Sequence, residues 1–304
     1  MSYVIDVCDS PISAHAWSPD ASQVALCPNN NELRIYSVTG KTLNFIESFV
    51  DHTQIIMSID WHPVTNRIIT CSSDRNAFVY LPVESGGKKT WKPQLVVLKL
   101  TRAAVYIRWS PDGKTFLVGT GHQKIRYCSF KEDHNFWLSK DLQLKSPTQL
   151  NIKYTPDGKN FIVASTNRNF YYCALEEDDW VPAKKEKSGD KKGKKKLSPI
   201  LKAFPSQGPV TACAVTPDGS WFVYTSQDSY IRFIKKEELL DDKARTRAYN
   251  IQGLPLIALE FVNDHALVGV GYDCQPRVFL LNGDEWDDLG FCDKEEVKDS
   301  AETK

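Results

Sequence analysis

The sequence predicts an all-β chain wound into a β-propeller of six recognisable blades. Three observations predict it. An anchored turn recurs six times, β-rich runs flank each turn, and a polar corner residue follows at a fixed distance.

The anchored turns read Trp17-Ser-Pro-Asp, Trp61-His-Pro-Val, Trp109-Ser-Pro-Asp-Gly, Tyr154-Thr-Pro-Asp-Gly, Val215-Thr-Pro-Asp-Gly and Phe261-Val-Asn-Asp. Successive anchors are 44, 48, 45, 61 and 46 residues apart, and the long step holds a lysine-rich run, so it reads as one repeat plus an insertion. Proline presets φ for the first corner, Asp binds the backbone, and Gly accepts positive φ. Before the turn stands a strand such as Ala104-Val-Tyr-Ile-Arg, and after it one such as Thr115-Phe-Leu-Val-Gly.

Thirteen residues after each anchor lies a polar residue, Asn30, Asp74, His122, Asn167 or Asp228, and in the sixth unit Asp273 lies at twelve. A short Asp or Asn at a strand corner can bind the backbone, so Asn30, Asp74, Asn167, Asp228 and Asp273 are expected to be structural turn residues. Eighteen residues after the anchors stand Ile35, Val79, Tyr127, Tyr172, Phe233 and Phe279, which mark a third strand. A loop and a fourth strand complete each unit. Four strands in about 40–45 residues is the WD-repeat signature, so the fold is a WD40-type propeller. Helical repeats of similar period fail, because no unit sustains a 3.6-residue apolar pattern.

Residues 1–292 read as a single propeller domain with a lysine-rich inter-blade insertion at 183–198, and 293–304 as an acidic disordered tail. The 38 basic and 38 acidic residues cancel, which disfavours long-range attraction to nucleic acid or membrane. Residues 184–196 carry eight lysines; these could touch RNA, acidic lipid or an acidic peptide, or form a solvated loop. Without interleaved aromatics the run is a poor single-strand nucleic-acid site. The first ten residues lack a secretory pattern, and no apolar run approaches the roughly 20 residues of a membrane helix. Eight cysteines without a C-x-x-C pair favour a reducing compartment, and those in repeat register read as core residues. The expected location is therefore cytoplasmic, with no nucleic acid and no membrane insertion.

No catalytic chemistry is legible. The histidines at 15, 52, 62, 122, 134 and 265 have no metal-ligand spacing, and no cysteine stands at zinc distance. Gly119-Thr-Gly121 lacks the third glycine and the helix of a dinucleotide loop. The expectation is a non-catalytic protein with no cofactor and no metal.

Several stretches are more specific than the repeat: His15-Ala-Trp-Ser, Ala25-Leu-Cys-Pro-Asn-Asn, Asp74-Arg-Asn-Ala-Phe-Val-Tyr and Thr90-Trp-Lys-Pro-Gln-Leu-Val-Val-Leu. Arg102-Ala-Ala, Arg108-Trp-Ser-Pro, Leu256-Ile-Ala-Leu and Tyr272-Asp-Cys-Gln-Pro join them. Together they resemble the WD-repeat subunit of the actin-related protein 2/3 complex, most over residues 10–125, weakly over 126–250, and again over 251–282.

The resemblance implies a scaffold subunit in an assembly that grows actin filaments as branches on existing ones. Its partners would be actin-related subunits, other complex members, the actin filament, and the acidic tails of nucleation-promoting factors. Arg75, Asn76, Trp91, Lys92, Arg102 and Arg108 lie in or beside these stretches. Arginine beside aromatics suits an acidic, Trp-bearing tail; the same residues read equally as strand-flanking charges or partner contacts. A generic WD-repeat adaptor, as in a vesicle coat or a ubiquitin ligase, is the competing reading.

The family propeller has seven blades, the last preceded by an insertion that reaches toward the mother filament. Both are expected to be missing here. Leaving on the order of 400 Å² of apolar blade face wet would cost ~10 kcal/mol, so a closed or nearly closed six-blade ring is expected. Tyr3–Val7 or Trp286–Cys292 would supply its closing outer strand; a partner subunit could instead seal an incomplete ring.

Overall fold

The computed structural model describes residues 5, 7–144, 146–176, 181–182, 197–241, 244 and 246–292. Most of the lysine-rich insertion and the whole acidic tail lie outside them, as does most of Tyr3–Val7.

Six four-stranded antiparallel sheets follow one another along the chain, each built from strands in sequence order. Their inner strands are Ala14–Trp17, Ile56–Trp61, Ala104–Trp109, Gln149–Tyr154, Val210–Val215 and Leu256–Asn263. Each ends at or close to its anchor residue. The fourth blade delays its outer strand, Ile200–Pro205, until after a two-stranded ribbon of Val181–Pro182 and Leu197–Ser198. That ribbon brackets the lysine run and accounts for the one long step between anchors.

The turn chemistry after the anchors is visible in the third blade. Ser110 Oγ accepts from Thr115 N at 3.1 Å, and Asp112 Oδ1 accepts from Lys114 N at 3.1 Å. Gly113 closes the turn by donating to Ser110 O at 2.9 Å, with φ at +66°. A Cβ there would lie 2.6 Å from the His62 ring of the preceding blade, so glycine is required by space as well as by dihedral.

Because strands alternate in direction, each blade offers two kinds of end. The anchored turns and the third-to-fourth turns share one rim. The polar corners and the links between blades share the other. Across each sheet, alternate residues face the preceding and the following blade.

Hydrophobic clusters occupy the seams from the first blade to the sixth. Trp61 and Trp91 pack with Ala14, Ala16 and Ile35 between the first two blades. Trp109 and Trp137 fill the next seam against Ile69 and Val79. Tyr154 and Phe161 meet Leu117 and Ile125, then Phe222 and Tyr224 meet Ile162 and Phe170. Trp286, Leu267 and Phe279 close on Trp221 and Phe233 in the last seam. Among the described residues no such cluster joins the sixth blade to the first.

Among the described residues no hydrophobic cluster closes the ring expected from the cost of exposing a blade face. Trp286 lies in Glu285–Phe291, which is the sixth blade's own outer strand and seals nothing beyond it. Of Tyr3–Val7, most of which lies outside the described residues, Val7 packs on Val24, Leu26 and Tyr36 of the first blade. A second correction concerns register. The sixth unit has one residue fewer in its anchored turn, so Val278, not Phe279, pairs with Val268 where Phe233 pairs with Val223. Phe279 points back toward the fifth blade.

Candidate functional site

Asp74 organises the corner of the second blade. Its Oδ1 accepts from Asn76 N at 2.9 Å, and its Oδ2 accepts from Thr53 N at 3.0 Å and meets His52 Nδ1 at 2.8 Å. His52 Nε2 lies 2.8 Å from Thr70 Oγ1. Burial lowers the His52 pKa despite the nearby carboxylate, which keeps the ring neutral at pH 7. The neutral ring then donates from Nδ1 to Asp74 and accepts from Thr70. Burial raises the Asp74 pKa, but hydrogen bonds from Asn76, His52 and Thr53 outweigh it and leave a net lowering.

This scaffold presents Arg75, whose φ of +74° turns the chain outward and leaves the side chain exposed. Asn76 follows, half-buried. Arg102 lies in the link to the third blade, also exposed, its Cβ beside Gly121 at the next corner. Arg75, Asn76 and Arg102 thus occupy neighbouring positions on one rim.

The other residues singled out from the sequence lie elsewhere. Trp91 is only 5% exposed, and its ring meets Trp61 edge-on at 5.5 Å. It is a seam residue and offers no face to an incoming tail, because its position on the outer strand points into the first blade. Lys92 beside it is exposed, but toward the opposite rim. Arg108 lies in the central channel. The other corner residues use varied partners. Asn30 Oδ1 accepts from Glu32 N at 2.9 Å, Asp228 from Tyr230 N at 3.0 Å, and Asp273 from Leu254 N at 3.1 Å. Asn167 differs, donating to Tyr171 Oη at 2.6 Å.

The channel is a cavity of about 730 Å³. Its charged groups sit one residue before the anchors: Asp60, Arg108, Lys153 and Glu260, with Ala16 and Ala214 at the same register. Arg108 donates to Asp60 at 3.1 Å and to Tyr106 Oη at 2.8 Å, while the second Asp60 oxygen accepts from Trp109 N at 2.7 Å. Burial opposes the Arg108 charge, yet Tyr106, Asp60 and Glu260 raise its pKa overall. Lys153 reaches across to Glu260 at 2.5 Å. Burial in the channel works against Glu260 ionisation, but Lys153 and Arg108 outweigh it. The Glu260 side chain is nonetheless 72% exposed, because the space around it is open to water. Sequence reading singled out only Arg108 of this set; the register immediately before each anchor was the available signal.

Two stretches, residues 43–80 and 198–235, match the WD domain, G-beta repeat family. Each begins in or just before the outer strand of one blade and ends in the third strand of the next, so the repeat straddles a seam. The chain is 32% identical to actin-related protein 2/3 complex subunit 1B of Arabidopsis thaliana over 89% of its length and 70% of that protein. It is 32% identical to subunit 1 of the same complex from Schizosaccharomyces pombe, over 93% of this chain and 74% of the relative. Identity to subunit 1A-A of Xenopus laevis is 31%, over 94% and 75%. The chain belongs to the Arp2/3 complex subunit 1 family. In this chain the second and fifth blades, which carry the Asp74 and Asp228 corners, are those that match the repeat pattern. No helix among its described residues is long and apolar enough to cross a membrane.

Proposed function

We propose that the chain is a non-catalytic scaffold subunit of an actin-related protein 2/3 complex. It holds actin-related and other subunits in place at the actin cytoskeleton and supports nucleation of branched filaments. It also receives acidic tails of nucleation-promoting factors on the rim bearing Arg75, Asn76 and Arg102. The observation that carries this reading is the rigid presentation of Arg75 by the buried His52–Asp74–Thr70 corner, within a chain of this family. A cation carried on backbone that is already folded adds no loop-ordering cost when it pairs with a carboxylate.

Affinity purification from the native cell tests complex membership: recovery of coat or ligase subunits in place of actin-related proteins would select the adaptor reading. Tail binding is tested by fluorescence anisotropy with a Trp-bearing acidic peptide. Arg75→Glu with Arg102→Glu should weaken it by at least about tenfold, more at low salt. Lys92→Glu, on the other rim, should leave it within about twofold.

A further inference from the structure

The 38 basic and 38 acidic residues cancel in total but divide unevenly between the two rims. On the corner rim, links are hydrogen-bonded to the corners of the blades they enter. Thr53 N donates to Asp74, Gly121 N to Ala103 O, Gln207 N to Asp228 and Leu254 N to Asp273. Links and corners therefore belong to one surface. Arg75, Lys99, Arg102 and Arg168 stand exposed on it, over the second to fourth blades. No described acid forms an ion pair with any of them. The acids of the same corners and links, Glu32, Asp51, Asp74, Asp228 and Asp273, are half-buried, and the exposed Asp9 stands ahead of the first blade. On the anchored rim, by contrast, exposed Asp112 and Asp157 sit two residues from exposed Lys114 and Lys159, so the signs mix.

Backbone geometry is a second observation. Arg75, Lys99 and Arg168 hold φ of +74°, +51° and +65°, where glycine or asparagine is favoured. A long cation kept at three such positions costs stability, and strain of this kind gathers at working surfaces. Shape is a third. Val50 is 64%, Val97 51% and Leu254 50% exposed, each in a different link. Exposed valine alone distinguishes nothing, since Val64 tops an anchored turn at 83%. On the corner rim, however, Val50 and Val97 stand beside those cations. Neither the channel nor a smaller cavity of about 290 Å³ beside Trp91 is lined by these residues. Apolar tips spread over separate links, with cations between them, fit a plane better than a single bound peptide.

We propose that the corner rim is a docking face for the surface of an anionic lipid bilayer. Arg75, Lys99, Arg102 and Arg168 meet the lipid phosphates, while Val50, Val97 and Leu254 enter the headgroup layer. The chain lies on the bilayer and does not span it. Arg75 and Arg102 are shared with the acidic-tail reading, whereas Lys99 and Arg168 belong to the bilayer alone, so the two readings fail separately.

The test is flotation of the full chain with vesicles of phosphatidylcholine containing roughly 30% phosphatidylserine. The lysines of 184–196 are replaced by glutamine in every protein, so that this run adds no attraction. The chain should float with these vesicles, less so at high salt, and not with phosphatidylcholine alone. Lys99→Gly with Arg168→Gly, which suits the backbone, should lower the vesicle partition coefficient at least about tenfold and hold or raise Tm. Lys114→Ala with Lys159→Ala, on the other rim, should leave partition within about twofold. A fluorescent amino acid at position 97 should be quenched by lipids brominated on their acyl chains, and one at position 64 should not. Failure to float, equal losses in the two double variants, or quenching at 64 and not at 97 overturns the proposal. So does a Lys99→Gly, Arg168→Gly variant that loses the Trp-bearing acidic peptide and keeps the vesicles, which would assign those cations to a protein partner.

Discussion

His52 ties a link, a corner and a strand of the second blade through two ring nitrogens, and its burial makes the neutral form the stable one. The unfolded chain binds the proton more readily than the folded one. Stability is therefore complete above the ordinary histidine pKa and falls as pH drops from about 6.5. His15 is pushed the same way by burial and by Arg108, but it is open to channel water and contributes less. Urea denaturation should show stability declining between about pH 6.5 and 5, by at most ~1.4 kcal/mol per pH unit from each histidine. His52→Asn should flatten that slope and lower stability at pH 7 by ~1–3 kcal/mol. A slope unchanged by the substitution would remove His52 from the account. At Arg75 the backbone favours glycine, so Arg75→Gly should hold or raise Tm while deleting the cation. Any loss of tail binding in that variant then belongs to the side chain and not to the fold.

Within a blade, what matters is which face a side chain joins. Trp91 and Lys92 are neighbours on the strand Lys88–Val96, yet alternation sends one into the seam and the other to water. Trp91→Ala should lower stability by ~3–5 kcal/mol through the cavity left against Trp61. Lys92→Ala should change it by no more than ~0.5 kcal/mol. Thermal denaturation of the two variants side by side distinguishes a seam tryptophan from an exposed one. The difference was not legible in the sequence, because Trp-Lys-Pro stands out as a motif and its strand alternation cannot be phased from the turn alone. The anchored turns were legible because their chemistry is local: Ser110, Asp112 and Gly113 satisfy one another within a few residues.

At the level of the whole molecule, anchors that look equivalent in sequence differ by position in the arc. Trp61 and Trp109 each fill a preceding blade, whereas Trp17 is 49% exposed and meets no such blade among the described residues. Trp17→Ala in the isolated chain should cost under ~1 kcal/mol, against ~3–5 kcal/mol for Trp61→Ala or Trp109→Ala. Equal losses in calorimetry would mean that the first blade is covered after all. Lys153 and Glu260 link the fourth and sixth blades across the channel, but with Glu260 72% exposed the pair contributes little to holding the arc in shape.

The sequence by itself determined the strand-rich class, the six repeats, the turn residues and the family, because these rest on local turn chemistry and on spacing along the chain. Only the tertiary structure decided that no hydrophobic cluster joins the sixth and first blades among the described residues, that Trp91 is buried, and that Val278 takes the register expected of Phe279. The physical reason is cumulative geometry. Each seam sets a small rotation between blades, a one-residue change in a turn reassigns faces, and closure depends on the sum of rotations that no single repeat encodes.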